Sequence, residues 1–265
     1  MKIGFIGCGN MATAMIHGIL ESGTCQAKDL AASAKSEATR SKIKNELGIH
    51  QAASNQEVAA FADLVFLAVK PQYYEQVIVE VRDTAKEGQI FISIAPGKSL
   101  QRLETLFGKS VKLARAMPNT PAMVGEAMTA YCVNGQVTLE EKKQIDAVLK
   151  CFGKAEEVEE SVMQAVVSVS GSSPAYVFLF LEAMADAAVA DGMPRAKAYT
   201  FAAQAVLGSA KMALETGMHP GVLKDMVCSP GGTTIEAVRV LEEKGMRSSV
   251  IEAMRACAKK AGQME

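Results

Sequence analysis

The sequence predicts an α/β fold in two parts, a doubly wound parallel sheet followed by an all-helical segment. Three observations support this prediction. Short apolar runs alternate with helical patterns along the first part, a glycine-rich turn follows the first apolar run, and convincing strand patterns stop at about Glu160. We therefore place a domain boundary near residue 160, with a sheet domain over residues 1–160 and a helical domain over residues 161–265.

The predicted strands are short runs that are apolar on nearly every residue. Runs without alternation are typical of strands buried on both faces, as in a parallel sheet covered by helices. The clearest is residues 64–69, which ends at Lys70 and Pro71. We assign strands to residues 3–6, 30–32, 64–69, 90–94, 111–116, 128–133 and 155–158, and we expect one more just after His50.

Helices are predicted between these runs and throughout the second part. Pro174 suits the first turn of a helix, and Gly192 followed by Pro194 ends that helix. In the first part the predicted helices are residues 11–20, 36–47 and 139–151. In the second part they are residues 174–191, 195–215, 233–244 and 246–263.

The first two helices of the second part are rich in alanine. Five alanines fall within residues 183–190 and three more within residues 202–205. A helix that is apolar on most sides needs partners on most sides, and the second part is too short to surround two such helices. We therefore expect a subunit interface; the alternative is a compact monomeric bundle.

Composition argues against several classes of protein. Among 265 residues, 28 Lys and Arg face 29 Asp and Glu, so the basic surplus of a nucleic-acid or anionic-membrane binder is missing. The longest strong apolar run, residues 175–181, is far shorter than the roughly 20 residues of a membrane span, so no span is expected. The six cysteines form no CxxC pair and the three histidines lie far apart, which predicts a cytoplasmic protein with reduced thiols and no metal site.

A phosphate-binding motif follows the first predicted strand. Gly7, Gly9 and Ala12 fit the pattern G-x-G-x-x-G/A, in the required position between a strand and a helix. Gly7 would form the tight turn, Gly9 would let the backbone approach a pyrophosphate, and Ala12 would allow the helix to pack closely on the strand. Free N–H groups at the helix start would hold the anion. The alternative is a glycine turn with no ligand.

The residues after the second predicted strand favour NADP over NAD. An NAD site places an acidic residue about 20 positions beyond the motif, where it binds the ribose 2′-hydroxyl. Residues 32–36 read Ala-Ser-Ala-Lys-Ser and contain no acid, whereas hydroxyls and Lys35 suit a 2′-phosphate. The alternative is that Lys35 is a solvated charge at a helix start. The turns at residues 68–71 and 93–97 should face the same ligand, because ligands bind at the carboxyl ends of strands in open α/β sheets.

Groups that could protonate a developing alkoxide are scarce. His17 falls on the first predicted helix, His50 precedes a predicted strand, and His219 lies in a turn where a surface or capping role is expected. Between Ser170 and Lys197 there is neither lysine nor histidine. A carbonyl reductase uses such an acid, whereas an iminium carbon accepts hydride and leaves a neutral amine. The sequence therefore favours reduction of a C=N bond; the alternative is a carbonyl reductase in which a tyrosine or a water molecule supplies the proton.

Two segments rich in glycine and hydroxyl groups precede helices in the second part, at residues 170–176 and 229–234. Each offers N–H groups and hydroxyls to an anion such as a small carboxylate. For each, the alternative is a Ser or Thr that only caps its own helix.

Five motifs together resemble those of the pyrroline-5-carboxylate reductase family, over nearly the full chain. They are GFIGCGNM at 4–11, FLAVKP at 66–71, RAMPNTP at 115–121, SGSSPAY at 170–176, and the segment 219–234, which contains HPG and SPGGTT. The resemblance implies a Rossmann domain followed by a helical dimerisation domain, with dimers that can assemble into a decamer. It also implies reduction of L-1-pyrroline-5-carboxylate to L-proline with NADPH or NADH.

The resemblance further implies the site residues. Substrate contacts fall on Ser229, Gly232, Thr233 and Thr234, and Thr234 becomes the candidate catalytic residue that orients the imine or passes it a proton. Cofactor contacts fall on Ile6, Gly7, Cys8, Gly9, Asn10 and Met11, on Ser33, Ala34, Lys35 and Ser36 around the 2′-phosphate, and on Asn55, Ala68, Val69, Lys70 and Ala95. Met226 stands where some relatives carry a polar residue, so no contact is assigned to it.

Two rival functions remain open at this point. One is an enzyme of the 3-hydroxyacid dehydrogenase or ketopantoate reductase type, which shares the opening strand and helix but which the missing lysine disfavours. The other is a sensor that binds NADP without catalysis, which the intact segment from Ser229 to Thr234 disfavours.

Overall fold

The computed structural model describes residues 1–263 and divides them into two compact units. One unit contains residues 1–172 together with the chain from Cys257 onward, and the other contains residues 173–256. The first unit holds the whole sheet, and the second is entirely helical. The predicted α/β fold with a helical second part is therefore confirmed.

One sheet of eight strands organises the first unit. The strands lie in the order β3-β2-β1-β4-β5-β6-β7-β8, and all neighbours are parallel except the antiparallel pair β6 and β7. The strand order reverses beside β1, which lies between β2 and β4; such a switch point is where open α/β sheets bind ligands. The strands are β1 (Ile3–Ile6), β2 (Leu30–Ser33), β3 (His50–Gln51), β4 (Leu64–Leu67), β5 (Ile90–Ser93), β6 (Lys112–Met117), β7 (Ala127–Val133) and β8 (Gly153–Glu157).

Helices cover both faces of this sheet. Phe5 and Phe66 stack with ring centroids 4.8 Å apart in one apolar cluster, whereas Val65 and Phe91 belong to a second cluster. Alternate strand residues therefore face opposite layers, which is the burial that the unbroken apolar runs predict. One cluster takes residues from α1 (Asn10–Glu21), α2 (Glu37–Asn45) and α6 (Leu139–Leu149), and the other from α3 (Asn55–Phe61), α4 (Tyr74–Val81), α5 (Leu100–Phe107) and α7 (Met163–Val166).

Several boundaries differ from the sequence predictions. The strand expected after His50 begins at His50 itself, whose polar ring bonds Glu57 at the sheet edge. The run 64–69 pairs only to Leu67, because the chain leaves the sheet before the 3₁₀ turn that begins at Pro71. The helix predicted to Cys151 ends at Leu149 and continues as a 3₁₀ turn. Helices α3, α4, α5 and α7 and the later helix Pro220–Val227 have eight residues or fewer, and no sequence pattern predicts them individually.

The second unit has almost no core within one chain. Of residues 173–256, only Ala185, Ala198 and Ala202 are buried. Large apolar side chains such as Phe178, at 60% exposure, and Phe201, at 66%, face outward instead. A single chain therefore leaves these alanine-rich helices uncovered. The helices are α8 (Ser173–Ala190), α9 (Arg195–Thr216), α10 (Pro220–Val227), α11 (Thr233–Glu243) and α12 (Met246–Gly262), whose last turns belong to the first unit.

One helical stretch, Glu160–Ala190, is long and apolar enough to span a membrane by length and composition alone. The longest strictly apolar run, residues 175–181, is much shorter than this stretch, and the expectation that the chain has no membrane span stays a prediction. A run of strictly apolar residues underestimates the stretch, because small and hydroxyl residues extend it without adding charge. Its exposed apolar side chains, including Phe178, are part of the uncovered surface of the helical unit.

The buried amide of Gln89 offers a test of how α3 is held to the sheet. Its Nε2 donates to the carbonyl oxygens of Ala59 and Ala62, at 2.7 and 2.6 Å, at the end of α3. In Gln89→Leu those carbonyls lose their donor inside the protein, so we expect the free energy of unfolding in urea to fall by about 1–3 kcal/mol. Gln101→Leu, at an exposed position of α5, is the control, and an equal loss in both variants would contradict this role.

Candidate active site

The glycine turn after β1 is held between the ends of its two neighbouring strands. Gly7 has a φ of 91°, a conformation that side chains disfavour. Its N–H donates to the carbonyl of Ser33 at the end of β2, at 3.1 Å. A Cβ on Gly7 would lie 2.8 Å from the carbonyl oxygen of Ala68, just beyond β4. Only glycine fits this turn, as the motif predicts.

The start of α1 is open to an anion. Gly9 is its N-cap, and within the described chain no side chain caps the helix and no acid lies in its first turn. A Cβ on Gly9 would meet no atom within 4 Å, so the backbone here is accessible to a ligand. The positive end of the helix dipole and the first N–H groups of α1 face this space.

The remaining residues of the turn divide between its buried and open sides. Ile6, Cys8 and Ala12 are buried, and burial raises the pKa of the Cys8 thiol, which keeps it protonated. Asn10 is exposed and Met11 half-buried. Ala12 packs in the apolar cluster beneath the helix, the close approach of helix and strand that the motif predicts.

A polar chain fixes Asn55 beside the end of β2. The buried Ser33 hydroxyl donates to Asn55 Oδ1 at 2.7 Å, and Asn55 Nδ2 donates to Glu80 Oε2 at 2.6 Å. Gln76 Nε2 holds the other oxygen of Glu80 at 2.9 Å. Both ends of the Asn55 amide are therefore oriented. Glu80 cannot be found from sequence patterns, because 25 residues separate it from Asn55 and no local pattern connects them.

The loop after β2 presents one lysine beside an aromatic ring. Lys35 is exposed, and its Nζ lies 5.8 Å from the centroid of the Tyr73 ring. Ser36 caps α2 by accepting a hydrogen bond from Thr39 N, at 3.3 Å, so its hydroxyl has a structural use. The carbonyl of Ala34 accepts from Arg40 Nε at 2.9 Å. Lys35 therefore places an exposed ammonium group on this loop.

The turns after β4 and β5 complete the same edge of the sheet. Ala68 N–H donates to the carbonyl of Ile6 at 2.9 Å, which ties the first turn to β1. Val69 and Ala68 are half-buried, Lys70 is exposed and Ala95 is buried. Because β1 to β5 are all parallel, their carboxyl ends bring the candidate cofactor residues of this unit, Asn55 after β3 included, to one edge.

The second unit contains the candidate substrate segment at the start of α11. Gly231 has a φ of 66°, and Gly232 N–H donates to the carbonyl of Ser229 at 3.0 Å. The Ser229 hydroxyl occupies the space that a Cβ on Gly232 would take. Gly232 is the N-cap, and in the described chain no side chain caps α11. The alternative that Thr233 or Thr234 merely caps this helix is therefore wrong.

The other hydroxyl-rich segment contacts a second family motif inside the first unit. Asn119 Nδ2 donates to the carbonyl of Ser170 at 3.0 Å, while Asn119 Oδ1 accepts from Met128 N. The Ser170 hydroxyl donates to the carbonyl of Val166, at 3.1 Å, within a π-helical turn over Val167–Gly171. The hydroxyl of Ser170 thus bonds its own helical turn, and no substrate role is assigned to it.

The capping role predicted for His219 is confirmed. Its Nδ1 accepts a hydrogen bond from Gly221 N–H at 3.0 Å and caps α10. Among residues 1–263, no group of three or more His, Cys, Asp and Glu side chains is placed to hold a metal ion.

Comparisons with known proteins agree with this architecture. Residues 160–264 match the family described as pyrroline-5-carboxylate reductase dimerisation, and residues 2–97 match the family of NADP oxidoreductases described as coenzyme F420-dependent. A pyrroline-5-carboxylate reductase of Escherichia coli is 53% identical over 260 residues, which cover 98% of this chain and 97% of that protein. The chain belongs to the pyrroline-5-carboxylate reductase family.

Solved structures of pyrroline-5-carboxylate reductases have the same fold. The Coxiella burnetii enzyme superimposes with a TM-score of 0.92 at 34% identity, covering 100% of this chain and 98% of that one. The Plasmodium falciparum enzyme, solved with NADP bound, gives 0.91 at 31% identity with the same coverage. These matches favour the reductase family over the hydroxyacid dehydrogenase and sensor alternatives.

Membership of the pyrroline-5-carboxylate reductase family accounts for the exposed apolar helices. The dimerisation match spans the whole helical unit, including residues 173–256 with their three buried alanines. A second copy of the chain therefore covers this surface, and the predicted homo-oligomer is confirmed.

The two glycines of the turn should respond differently to a methyl group. Gly7→Ala places a Cβ in a left-handed conformation against Ala68, so we expect the free energy of unfolding to fall by about 1–3 kcal/mol. Gly9→Ala meets open space at a φ of −79°, so stability should change by less than about 1 kcal/mol. Equal losses for both variants in urea unfolding would contradict this description of the turn.

Proposed function

We propose that this protein reduces L-1-pyrroline-5-carboxylate to L-proline with NADPH, the last step of proline synthesis. The observation that carries the proposal is the uncapped start of α1 behind the Gly7 turn, at the switch point of the sheet, in a chain of this reductase family. No structural observation favours a second function.

The residues at the sheet edge fit a nicotinamide dinucleotide. The open backbone at Gly9 and the first N–H groups of α1 suit a pyrophosphate. Asn55, Ala68 to Lys70 and Ala95 border the rest of the ligand. NADPH supplies a hydride when bound. The exposed ammonium group of Lys35, next to the backbone of Ser33, Ala34 and Ser36, favours the 2′-phosphate of NADPH. NADH remains usable because the other contacts do not involve that phosphate.

The start of α11 suits the substrate carboxylate. Its N–H groups and the hydroxyl of Thr233 offer donors that no capping side chain in the described chain occupies. Ser229 and Gly232 shape the backbone that presents these donors. Thr234, which is half-exposed on the first turn, orients the ring nitrogen by a hydrogen bond or passes a proton to it.

The chemistry explains why a strong acid is not required. Hydride adds to the carbon of the protonated imine, the C=N π pair becomes the nitrogen lone pair, and the ring nitrogen keeps its proton. The protein's contribution is to hold the ring and exclude competing orientations. This is consistent with the absence of lysine and histidine between residues 171 and 196.

The roles of the two domains, the oligomeric state and the cellular location follow from the same proposal. We assign residues 1–160 to dinucleotide binding and residues 161–265 to substrate binding and dimerisation. The family match to residues 160–264 supports this division, whereas the compact units of the structure divide after Ser172. Dimers assemble further into a decamer, and the protein works in the cytoplasm, where its six free cysteines stay reduced.

Removal of the Thr234 hydroxyl tests the catalytic proposal. In Thr234→Ala we expect kcat, followed by NADPH oxidation at 340 nm, to fall about 100-fold, because the group that orients or protonates the nitrogen is lost. Thr234→Ser should recover much of the rate. Thr200→Ala, whose hydroxyl bonds its own helix on α9, is the control. Wild-type turnover in Thr234→Ala would exclude the role, and turnover of a 2-ketoacid in place of the imine would overturn the function.

Replacement of Lys35 tests the preference for NADPH. In Lys35→Gln the KM for NADPH should rise about 5- to 50-fold, since a charged hydrogen bond to the 2′-phosphate is lost, while the KM for NADH should hardly change. Lys44→Gln, an exposed lysine on α2 with the same change of charge, is the control. An equal rise in KM for NADPH and NADH would show that Lys35 does not recognise the 2′-phosphate.

A further inference from the structure

The Tyr74 phenol lies between the carboxyl ends of β4 and β5, where these two strands separate. Tyr74 is the first residue of α4 and is 1% exposed. Its hydroxyl donates to the carbonyl of Leu67, the last residue of β4. The same oxygen accepts from the Ser93 hydroxyl and from Ala95 N–H, both at 3.2 Å, at the end of β5.

The ladder between β4 and β5 weakens at this place. Leu67 and Ser93 are the last register partners, and the next bond, from Ile94 N to Leu67 O, is stretched to 3.5 Å. The phenol therefore supplies the hydrogen bonds that replace the ladder as the strands separate. Burial raises the pKa of Tyr74 to about 12, so its O–H remains a donor at neutral pH.

The residues that follow this junction are those of the cofactor edge. Ala68 comes directly after Leu67, and its carbonyl oxygen limits the space at Gly7, where a Cβ would lie only 2.8 Å away. Ala95 itself donates to the phenol. A shift of the chain at Leu67 would therefore reach both the pyrophosphate turn and the turn after β5.

We propose that Tyr74 is a positioning residue for the dinucleotide, and that its phenol sets the separation of the turns at Ala68 and Ala95 that border the ligand. The proposal rests on the function proposed above. Loss of the Tyr74 hydroxyl therefore weakens NADPH binding even in protein that remains folded. The hydroxyl acts by holding the backbone at Ala68 and Ala95, and it does not contact the cofactor.

The test is the affinity of the full-length protein for NADPH, measured by titration calorimetry well below the unfolding transition. Tyr74→Phe keeps the ring and removes all three hydrogen bonds, so we expect the Kd for NADPH to rise about five- to tenfold. The kcat at saturating NADPH should stay within about twofold, because the reacting groups are not altered. Ser93→Ala removes one of the three bonds and should raise the Kd about two- to threefold.

Tyr131→Phe is the matched control. Tyr131, on β7, is also buried, but its hydroxyl donates to Asp146 Oδ1 at 3.4 Å. Tyr131 and Tyr74 belong to different apolar clusters of the sheet domain. This variant should lose stability in urea and keep the wild-type Kd. If Tyr74→Phe and Ser93→Ala also keep the wild-type Kd while stability falls, the positioning role is overturned. If the wild-type protein itself fails to bind NADPH, the proposed function fails instead, so the two results are distinct.

Discussion

β1 pairs in parallel with β2 on one side and with β4 on the other, and the geometry of the candidate cofactor edge follows from that double pairing. The turn that leaves β1 must pass between the ends of two strands. The space at Gly7 therefore admits a hydrogen atom but no side chain. The first helix then packs on one face of the sheet while α3, α4 and α5 pack on the other. The place of the uncapped start of α1, at the carboxyl end of β1, is thus a consequence of strand order, and its free N–H groups attract anions.

Polar side chains below this edge of the sheet fix the positions of the strand ends. Ser33, Asn55 and Glu80 form one chain of hydrogen bonds at the end of β2, and Tyr74 joins the ends of β4 and β5. Buried hydrogen bonds of this kind add modest net stability, but losing one partner is costly. Their larger effect is to allow a single arrangement of the surrounding backbone. A site that must hold a long, charged ligand in register benefits from such fixed backbone.

The helical unit depends on a different constraint. Alanine-rich helices pack closely but bury little area per residue, and only Ala185, Ala198 and Ala202 are buried among residues 173–256. Burial of apolar surface is the main favourable term in folding and in association. This unit buries little apolar surface within one chain and gains that burial when the dimer forms. The same fact explains why the stretch Glu160–Ala190 resembles a membrane span by composition. Its exposed apolar side chains are covered by the second chain of the dimer.

The sequence by itself determined the sheet, the glycine turn and the four long helices of the second part. Apolar runs, the spacing of Gly7 and Gly9, and proline and glycine at helix ends are local signals, which short segments carry without knowledge of the fold. Tertiary structure alone decided the rest. Helices α3, α4 and α5 span about two turns, too short for a clear period, and β3 has only two residues. The pairing of Asn55 with Glu80 joins residues 25 apart. Tyr73 and Tyr74 are adjacent and chemically identical, yet one is 43% exposed and the other 1%. Only the way α4 packs on the sheet places one ring in solvent and the other between two strands.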